Sequence, residues 1–114
     1  MRILITGGGG FLGQKLAQAL ARTGTLRGMG IEALTLSDVT APPAPGADFP
    51  VNGVASDISD TGAVSALFTE PYDVIFHLAA VVSGAAEADF DLGMRVTLRG
   101  TLNLLEAARA HGSA

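Results

Sequence analysis

The segment Ile3–Gln14, with the sequence ILITGGGGFLGQ, places four consecutive glycines directly after a short apolar run. The run ILI is bounded by glycine and rich in β-branched residues, which is typical of a buried strand. After the glycines, Leu12, Leu16 and Leu20 recur at helical spacing. They predict an amphipathic helix of about three turns that ends near Gly24. The glycines therefore lie where a strand passes into a helix.

Two glycine patterns fit this turn. From Gly8 the pattern is Gly-x-Gly-x-x-Gly, the dinucleotide fingerprint, and from Thr6 it is Thr-Gly-x-x-Gly-x-x-Gly. In either register one glycine makes the tight turn, another lets a diphosphate approach the main chain, and Gly13 lets the helix pack against the strand. The first helical turn also offers unpaired N–H groups and the positive end of the helix dipole to an anion. The alternative is an ordinary glycine loop.

Strand and helix patterns alternate along the rest of the chain. Apolar runs predict strands at Ala33–Leu36, Val51–Ala55 and Val74–Phe76. Helices are predicted over about Ser59–Thr69, with Ser59 or Asp60 as the N-cap, and from about Glu87 to Ala110. Residues 40–50 hold four of the five prolines, which indicates a loop. This order predicts an α/β fold with a parallel sheet and right-handed crossovers.

An acidic residue, Asp38, follows the second predicted strand and lies 25 residues after Gly13. The usual spacing is about 20 residues, and the polar connection at residues 25–32 can absorb the excess. Its carboxylate would accept hydrogen bonds from ribose hydroxyls and would repel a 2′-phosphate, so it favours NAD over NADP. The alternative is a solvated acid in the turn before the proline-rich loop.

Composition narrows the class of protein. The 114 residues fit one domain, and 48% of them are hydrophobic, as in globular chains. A net charge of −4 without a basic run argues against a nucleic-acid partner. The absence of cysteine excludes disulfides and thiolate metal sites. No apolar run approaches the roughly 18 residues of a membrane span, and the start does not fit a signal peptide, so a cytoplasmic protein without membrane partners is expected.

Four motifs, TGGGGFLG, LSD, ASDISD and FHLAA, stand in the order seen in the extended short-chain dehydrogenases, the group of the NAD-dependent sugar epimerases and dehydratases. The chain resembles this family over nearly its whole length, and HLAAVVSGAAEADFDLGMRV is most similar to the D-erythronate dehydrogenase-like subgroup, which oxidises sugar acids. The resemblance implies that residues 1–114 form the N-terminal part of an NAD-binding Rossmann domain. It implies a partial Rossmann fold of four strands in the order 3-2-1-4 with flanking helices, without the substrate-binding part.

The resemblance also implies where NAD would bind. The diphosphate would lie against the glycine turn, the adenosine ribose on Asp38, and the adenine beside Asp57. Small residues after the fourth strand would leave room for the nicotinamide, and Ser83 would begin the loop that faces the substrate. The whole expected set of cofactor-binding residues is Gly7, Gly10, Phe11, Leu12, Gly13, Asp38, Asp57, Ile58, Leu78, Ala79 and Ala80. The alternatives are that Asp57 caps the next helix, that residues 78–82 are core, and that Ser83 is an ordinary loop serine.

Family chemistry implies a tyrosine with a lysine four residues later, and a serine or threonine. Here the only tyrosine is Tyr72, the only lysine is Lys15, and Phe76 stands four residues after the tyrosine. No catalytic residue is therefore predicted, and His77 is expected to be structural. Where the family usually has asparagine, this chain has Thr97, which puts that support of the active site in doubt.

The expected function is that of the NAD-binding half of a sugar-nucleotide or sugar-acid oxidoreductase, inactive without its remaining part. The alternatives are a stand-alone nucleotide-binding or regulatory module and a structural remnant that binds nothing. We also expect a homo-oligomer, formed through the last helix or through the fourth strand, which would be an open sheet edge.

Overall fold

The structure, a computed structural model, describes residues 1–78 and 90–110, with the side chains of the last helix described from residue 98 onward. The strands in this part are β1 (Arg2–Thr6), β2 (Thr25–Leu26), β3 (Met29–Gly30), β4 (Ala33–Asp38), β5 (Val51–Ala55) and β6 (Val74–His77). The helices are α1 (Phe11–Thr23), α2 (Thr61–Leu67) and α3 (Phe90–Ala110).

Four strands form one parallel sheet in the order β5-β4-β1-β6. This is the order 3-2-1-4 predicted for the four long strands, so the predicted fold class is confirmed. In the register of the sheet, Thr6 at the end of β1 lies opposite both Ser37 and His77. The chain moves outward from β1 to β4 and β5, and then crosses to β6 on the other side. This change of direction creates the crevice at which ligands bind in open α/β sheets.

The two faces of the sheet bury separate apolar clusters because side chains alternate along β1. Ile3 and Ile5 point to the face covered by α1, where they pack with Ala17 and Leu20. Leu4 points to the opposite face, which α2 and α3 cover with the residues Val64, Leu67, Leu104, Ala107 and Ala108. The side chains of Ile3, Leu4 and Ile5 are all fully buried. The short apolar run ILI therefore joins both layers of the core.

A small antiparallel hairpin, β2-β3, lies between α1 and β4. The sequence predicted only a polar connection here, because two-residue strands are too short to show an alternating pattern. Its turn consists of Arg27 and Gly28, which both have positive φ, at 51° and 78°. Positive φ at both central residues is typical of the type I′ turn that joins two-residue hairpins.

The helix ends follow local capping. Gly24 adopts the left-handed conformation, with φ 68°, and donates to the Leu20 carbonyl oxygen over 2.8 Å, so α1 ends where predicted. The carboxylate of Asp60 accepts from the amides of Gly62 and Ala63, so Asp60, one of the two predicted caps, is the N-cap of α2. Since Asp60 caps α2, the alternative that Asp57 caps it is wrong. None of the helices in the described part is long and apolar enough to cross a membrane.

Candidate functional site

The glycine turn that follows β1 is held by its own backbone and by β4. The amide of Gly8 donates to the Ser37 carbonyl oxygen over 2.9 Å, and the amide of Gly10 donates to the Gly7 carbonyl oxygen over 3.1 Å. Gly7 has a φ of 70°, in the left-handed region that glycine adopts at low cost. The chain can therefore reverse within a few residues and start α1 close to the end of β1.

Close packing leaves no room for side chains at two of these glycines. A Cβ added to Gly13 would collide with the Gly7 carbonyl oxygen and lie 2.8 Å from the Gly8 Cα. A Cβ added to Gly8 would lie 2.8 Å from the Cβ of Leu36. Gly13 therefore lets α1 rest directly on the backbone of the turn, whereas the prediction placed this close contact at the strand.

The amino end of α1 is open to an anion. The N-cap residue Gly10 has no side chain to cap the helix, and the first turn holds no acidic residue. The first helical hydrogen bond runs from the amide of Gln14 to the Gly10 carbonyl oxygen, over 2.9 Å. The preceding amides lack intrahelical acceptors. Phe11 and Leu12 are 77% and 67% exposed, so this end of the helix faces outward.

Asp38 is joined to the glycine turn. Its Oδ2 accepts from the Gly9 amide over 3.0 Å, and its Oδ1 accepts from the Val39 amide over 2.8 Å. The side chain is partly exposed, so lone pairs remain for a ligand. Asp38 is therefore not a freely solvated turn acid, since it fixes one glycine amide beside the end of β4.

An open cavity of about 350 Å³ lies beside this pair, lined by Gly9, Gly10 and residues 38–43. Its lining contains one carboxylate and no lysine or arginine. A sugar hydroxyl can donate to that carboxylate, whereas a phosphate group there would meet a negative charge without a counter-ion. The lining residues thus fit a ribose that carries hydroxyls.

Asp57 and Ile58 follow β5, and the amide of Ser56 donates to the Asp38 carbonyl oxygen over 2.7 Å, which places them next to the end of β4. Asp57 is exposed and accepts from the hydroxyl and the amide of Ser59, over 2.7 and 3.0 Å. These hydrogen bonds lower the pKa of Asp57, because they favour the carboxylate. The carboxylate is therefore ionised and available at the surface.

The Ile58 segment is held by α3. The side-chain amide of Asn103 donates to the Ile58 carbonyl oxygen over 3.0 Å. A Cβ at Gly100 would lie 2.6 Å from the Ile58 Cγ2, so this glycine permits the close approach of the two segments. No feature of the sequence alone indicated that Asn103 would contact the loop after β5. Asn103 was therefore missed as a residue that supports the predicted adenine side of the site.

His77 ends β6 and links it to two neighbours. Its Nδ1 lies 2.7 Å from the Thr6 hydroxyl, and its Nε2 lies 2.9 Å from the Thr101 hydroxyl. Burial lowers the pKa of His77, because it disfavours the charged imidazolium. Both ring nitrogens are thus engaged in joining β1, β6 and α3, which fits the structural role predicted for this residue.

The predicted site residues come to one edge of the sheet as far as the structure describes them. The glycine turn, Asp57 and Leu78 follow the carboxyl ends of parallel strands, and Asp38 is the last residue of β4. The amide of Leu78 donates to the Thr6 carbonyl oxygen over 3.0 Å. Ala79, Ala80 and Ser83 lie outside the described residues, and so does the side chain of Thr97.

Comparison with known proteins gives relatives along nearly the whole chain. D-erythronate dehydrogenase of Cupriavidus necator is 48% identical over 98% of this chain. D-erythronate dehydrogenase of Haemophilus influenzae is 42% identical over 96% of it. The chain spans 36% and 34% of the lengths of these two relatives, or about a third. The predicted resemblance to the D-erythronate dehydrogenase-like subgroup is confirmed.

Solved structures also resemble this chain over nearly its whole length. A nucleoside-diphosphate-sugar epimerase from Agrobacterium tumefaciens superposes with a TM-score of 0.85 at 47% identity, over 94% of this chain and 32% of that one. A uronate dehydrogenase from the same organism, solved with NAD, superposes with a TM-score of 0.73 at 32% identity, and the match covers 97% of this chain and 37% of that one. The profile of the NAD-dependent epimerase/dehydratase family matches residues 3–114. NAD, the cofactor predicted from Asp38, is the cofactor of that family. The chain belongs to the NAD-dependent epimerase/dehydratase family.

Proposed function

We propose that this chain is the NAD-binding part of a dehydrogenase that oxidises a sugar acid. The observation that carries the proposal is the bare glycine turn joined to Asp38 by the hydrogen bond from the Gly9 amide. Gly10 at the amino end of α1 and the carboxylate of Asp38 both line one open cavity. This supports an anion at the helix end and a ribose at the carboxylate.

In this proposal the diphosphate of NAD rests against Gly7, Gly10, Phe11, Leu12 and Gly13. Close packing at Gly13 keeps the amino end of α1 against the turn, so the amides are fixed before the ligand arrives. Preorganised donors are worth more than flexible ones, because binding then costs less conformational entropy.

The adenosine half occupies the cavity beside Asp38. The carboxylate accepts hydrogen bonds from the ribose hydroxyls and disfavours NADP by charge repulsion. The exposed carboxylate of Asp57 accepts from the amino group of adenine, and Ile58 lies beside the base. The nicotinamide half extends past Leu78 toward Ala79, Ala80 and Ser83.

NAD supplies a hydride acceptor for a carbon that carries a hydroxyl group. In this proposal the accompanying proton transfer requires residues outside this chain. Tyr72 does not serve, since it is buried and its hydroxyl donates to the Leu67 carbonyl oxygen over 2.6 Å. The 114-residue chain on its own is therefore expected to bind NAD and to form no NADH.

The relatives that share 48% and 42% identity are named for D-erythronate, and this favours a sugar acid over a sugar nucleotide as the substrate. The likeness to a nucleoside-diphosphate-sugar epimerase keeps the sugar nucleotide as the second candidate. Both candidates require the same cofactor half.

Calorimetric titration of the purified chain tests the cofactor part. We expect saturable binding of NAD with one site per chain, and at least tenfold weaker binding of NADP. Absence of NAD binding, or equal affinity for the two cofactors, would refute the assignment. For the substrate, a protein that joins this chain to the part of its relatives that it does not span is assayed for NADH formation with D-erythronate, a uronate and a sugar nucleotide. The sugar acids should react and the sugar nucleotide should not.

A further inference from the structure

The loop between β4 and β5 lines the outer side of the cavity with residues 39–43, and few hydrogen bonds hold this part of it. It contains Pro42, Pro43 and Pro45, which lack an N–H and cannot donate hydrogen bonds. Within the described part of the chain, one hydrogen bond ties residues 40–49 to the rest of the structure, and it comes from Gln14.

Gln14 contacts the glycine turn and the loop that lines the cavity. Its Nε2 donates to the Gly8 carbonyl oxygen over 2.7 Å and to the Pro43 carbonyl oxygen over 3.1 Å. A side-chain amide nitrogen carries two hydrogens, so each hydrogen has one acceptor and the donor capacity is used completely. Gln14 thus bridges the glycine turn and the proline segment, which we define as residues 41–43.

A second, independent contact holds the proline segment against the sheet. Pro42 is buried, and its carbonyl oxygen lies so close to Gly53 on β5 that a Cβ at Gly53 would collide with it. The proline segment is therefore pressed onto the sheet at Gly53 and held across the cavity by Gln14. The cavity is lined on one side by this proline segment and on the other by Asp38.

We propose that Gln14 is a positioning residue for cofactor binding, which holds the proline segment as the outer wall of the adenosine pocket. The proposal rests on the proposed function, since it takes the adenosine half of NAD as the occupant. Gln14 does not need to touch the cofactor. Without its bridge the wall must be ordered when the ligand binds, and this entropy cost lowers the affinity.

The test compares Gln14→Met, which keeps the length of the side chain and removes both donors, with the matched control Gln18→Met. Gln18 lies one turn further along α1, is exposed and makes no hydrogen bond among the described residues. We expect Gln14→Met to bind NAD about threefold to tenfold more weakly, the scale of one or two lost hydrogen bonds, and Gln18→Met to bind as the parent does. Adenosine monophosphate should lose affinity by the same factor, because it occupies only the adenosine pocket.

A second measurement needs no ligand. In the free chain, ¹⁵N relaxation should show larger fast motion at the amides of Ala41 and Ala44 in Gln14→Met than in the parent, with the midpoint of thermal unfolding little changed. Gly53→Ala, which pushes Pro42 away from the sheet, should weaken NAD binding in the same direction if it folds.

Two results would overturn the proposal: NAD affinity of Gln14→Met within twofold of the parent, or unchanged motion at Ala41 and Ala44. If the parent chain binds neither NAD nor adenosine monophosphate, the proposed function fails instead. The relaxation data then decide alone whether Gln14 orders the proline segment.

Discussion

The carboxylate of Asp38 accepts a hydrogen bond from the main-chain amide of Gly9 over 3.0 Å, so the end of β4 is joined to the turn that follows β1. Two segments separated by nearly thirty residues thereby act as one unit. A ligand that bridges the turn and the carboxylate meets donors and acceptors already fixed relative to each other. This relationship explains why the site depends on the acid as well as on the glycines.

Replacement of Asp38 by alanine should weaken NAD binding by about 1–3 kcal/mol, the scale of hydrogen bonds to a charged group. The same variant should reduce the difference in binding affinity between NAD and NADP, because the charge that repels the 2′-phosphate is lost. Calorimetry with both cofactors measures the two effects. Asp48→Ala is the matched control, since Asp48 is an exposed acid of the following loop with no partner among the described residues. An Asp38→Ala chain that binds NAD as tightly as the parent would show that the carboxylate does not contact the ribose.

Replacement of Gly13 by alanine should destabilise the fold by about 1–3 kcal/mol, the range for overpacked sites. At a solvent-exposed position inside a helix, the same change would increase stability by about 1 kcal/mol, because alanine has the higher helix propensity. Here the added Cβ meets the backbone of Gly7 and Gly8, which cannot move aside without opening the turn. Urea unfolding measures the change.

Gly30→Ala is the control for Gly13→Ala, because a Cβ there has nothing within 4 Å. The free energy of unfolding of Gly30→Ala should lie within about 0.5 kcal/mol of that of the parent. Equal stability of the parent and Gly13→Ala would mean that α1 does not rest on the turn.

The free energy of unfolding should fall when the pH is lowered through the range in which His77 titrates. Burial lowers the pKa of His77 below its ordinary value of 6.5, so the unfolded chain binds the proton more tightly than the folded one. The contribution of neutral His77 to the free energy of unfolding is therefore fully present above pH 6.5, the ordinary pKa of histidine, and is lost as the pH falls below it. Urea unfolding from about pH 7.5 to about pH 5.5 covers this window, in which carboxylates remain ionised.

His77→Gln should show a smaller loss of stability over the same pH range, since the titrating group is gone. His111→Gln removes the other histidine of the chain and should keep the slope of the parent. Identical pH dependence in the parent and His77→Gln would contradict the assignment of the slope to His77.

Replacement of Tyr72 by phenylalanine should cost about 0.5–1.5 kcal/mol, because the buried carbonyl oxygen of Leu67 loses its donor. The ring contact with Phe68, with centroids 5.1 Å apart, should remain. Tyr72 precedes β6 and so lies at the amino end of the sheet, opposite the site. NAD affinity should therefore be unchanged, and a marked loss of affinity in this variant would show that the site is placed wrongly.

Much of the fold could be predicted because its signals are local and strong. The run ILI, the glycine spacing and Asp38 are read directly from the sequence, and four strands followed in the predicted order. The β2-β3 hairpin was not predicted because its strands are too short for periodicity. The sequence left Ser59 and Asp60 both open as the N-cap of α2, since both are good cap residues, and the structure shows that Asp60 caps it.

The supporting contacts of the site could not be predicted, because they join residues far apart in sequence. Gln14 reaches Pro43, and Asn103 reaches Ile58, through contacts set by tertiary packing. Nothing in the neighbourhood of either residue specifies its partner. The residues expected to face the ligand were therefore indicated by motif, whereas those that hold them in place were found in the structure.

If NAD binds as proposed, the amides at the start of α1 hold its diphosphate. An NMR titration of the ¹⁵N-labelled chain with NAD observes these amides one by one. We expect saturable shifts that are largest at the amides of Gly9, Gly10, Phe11 and Leu12, with a smaller response at Val39 beside Asp38. Saturable shifts centred on the β2-β3 hairpin, or no shifts at the start of α1 when NAD is in excess, would contradict it.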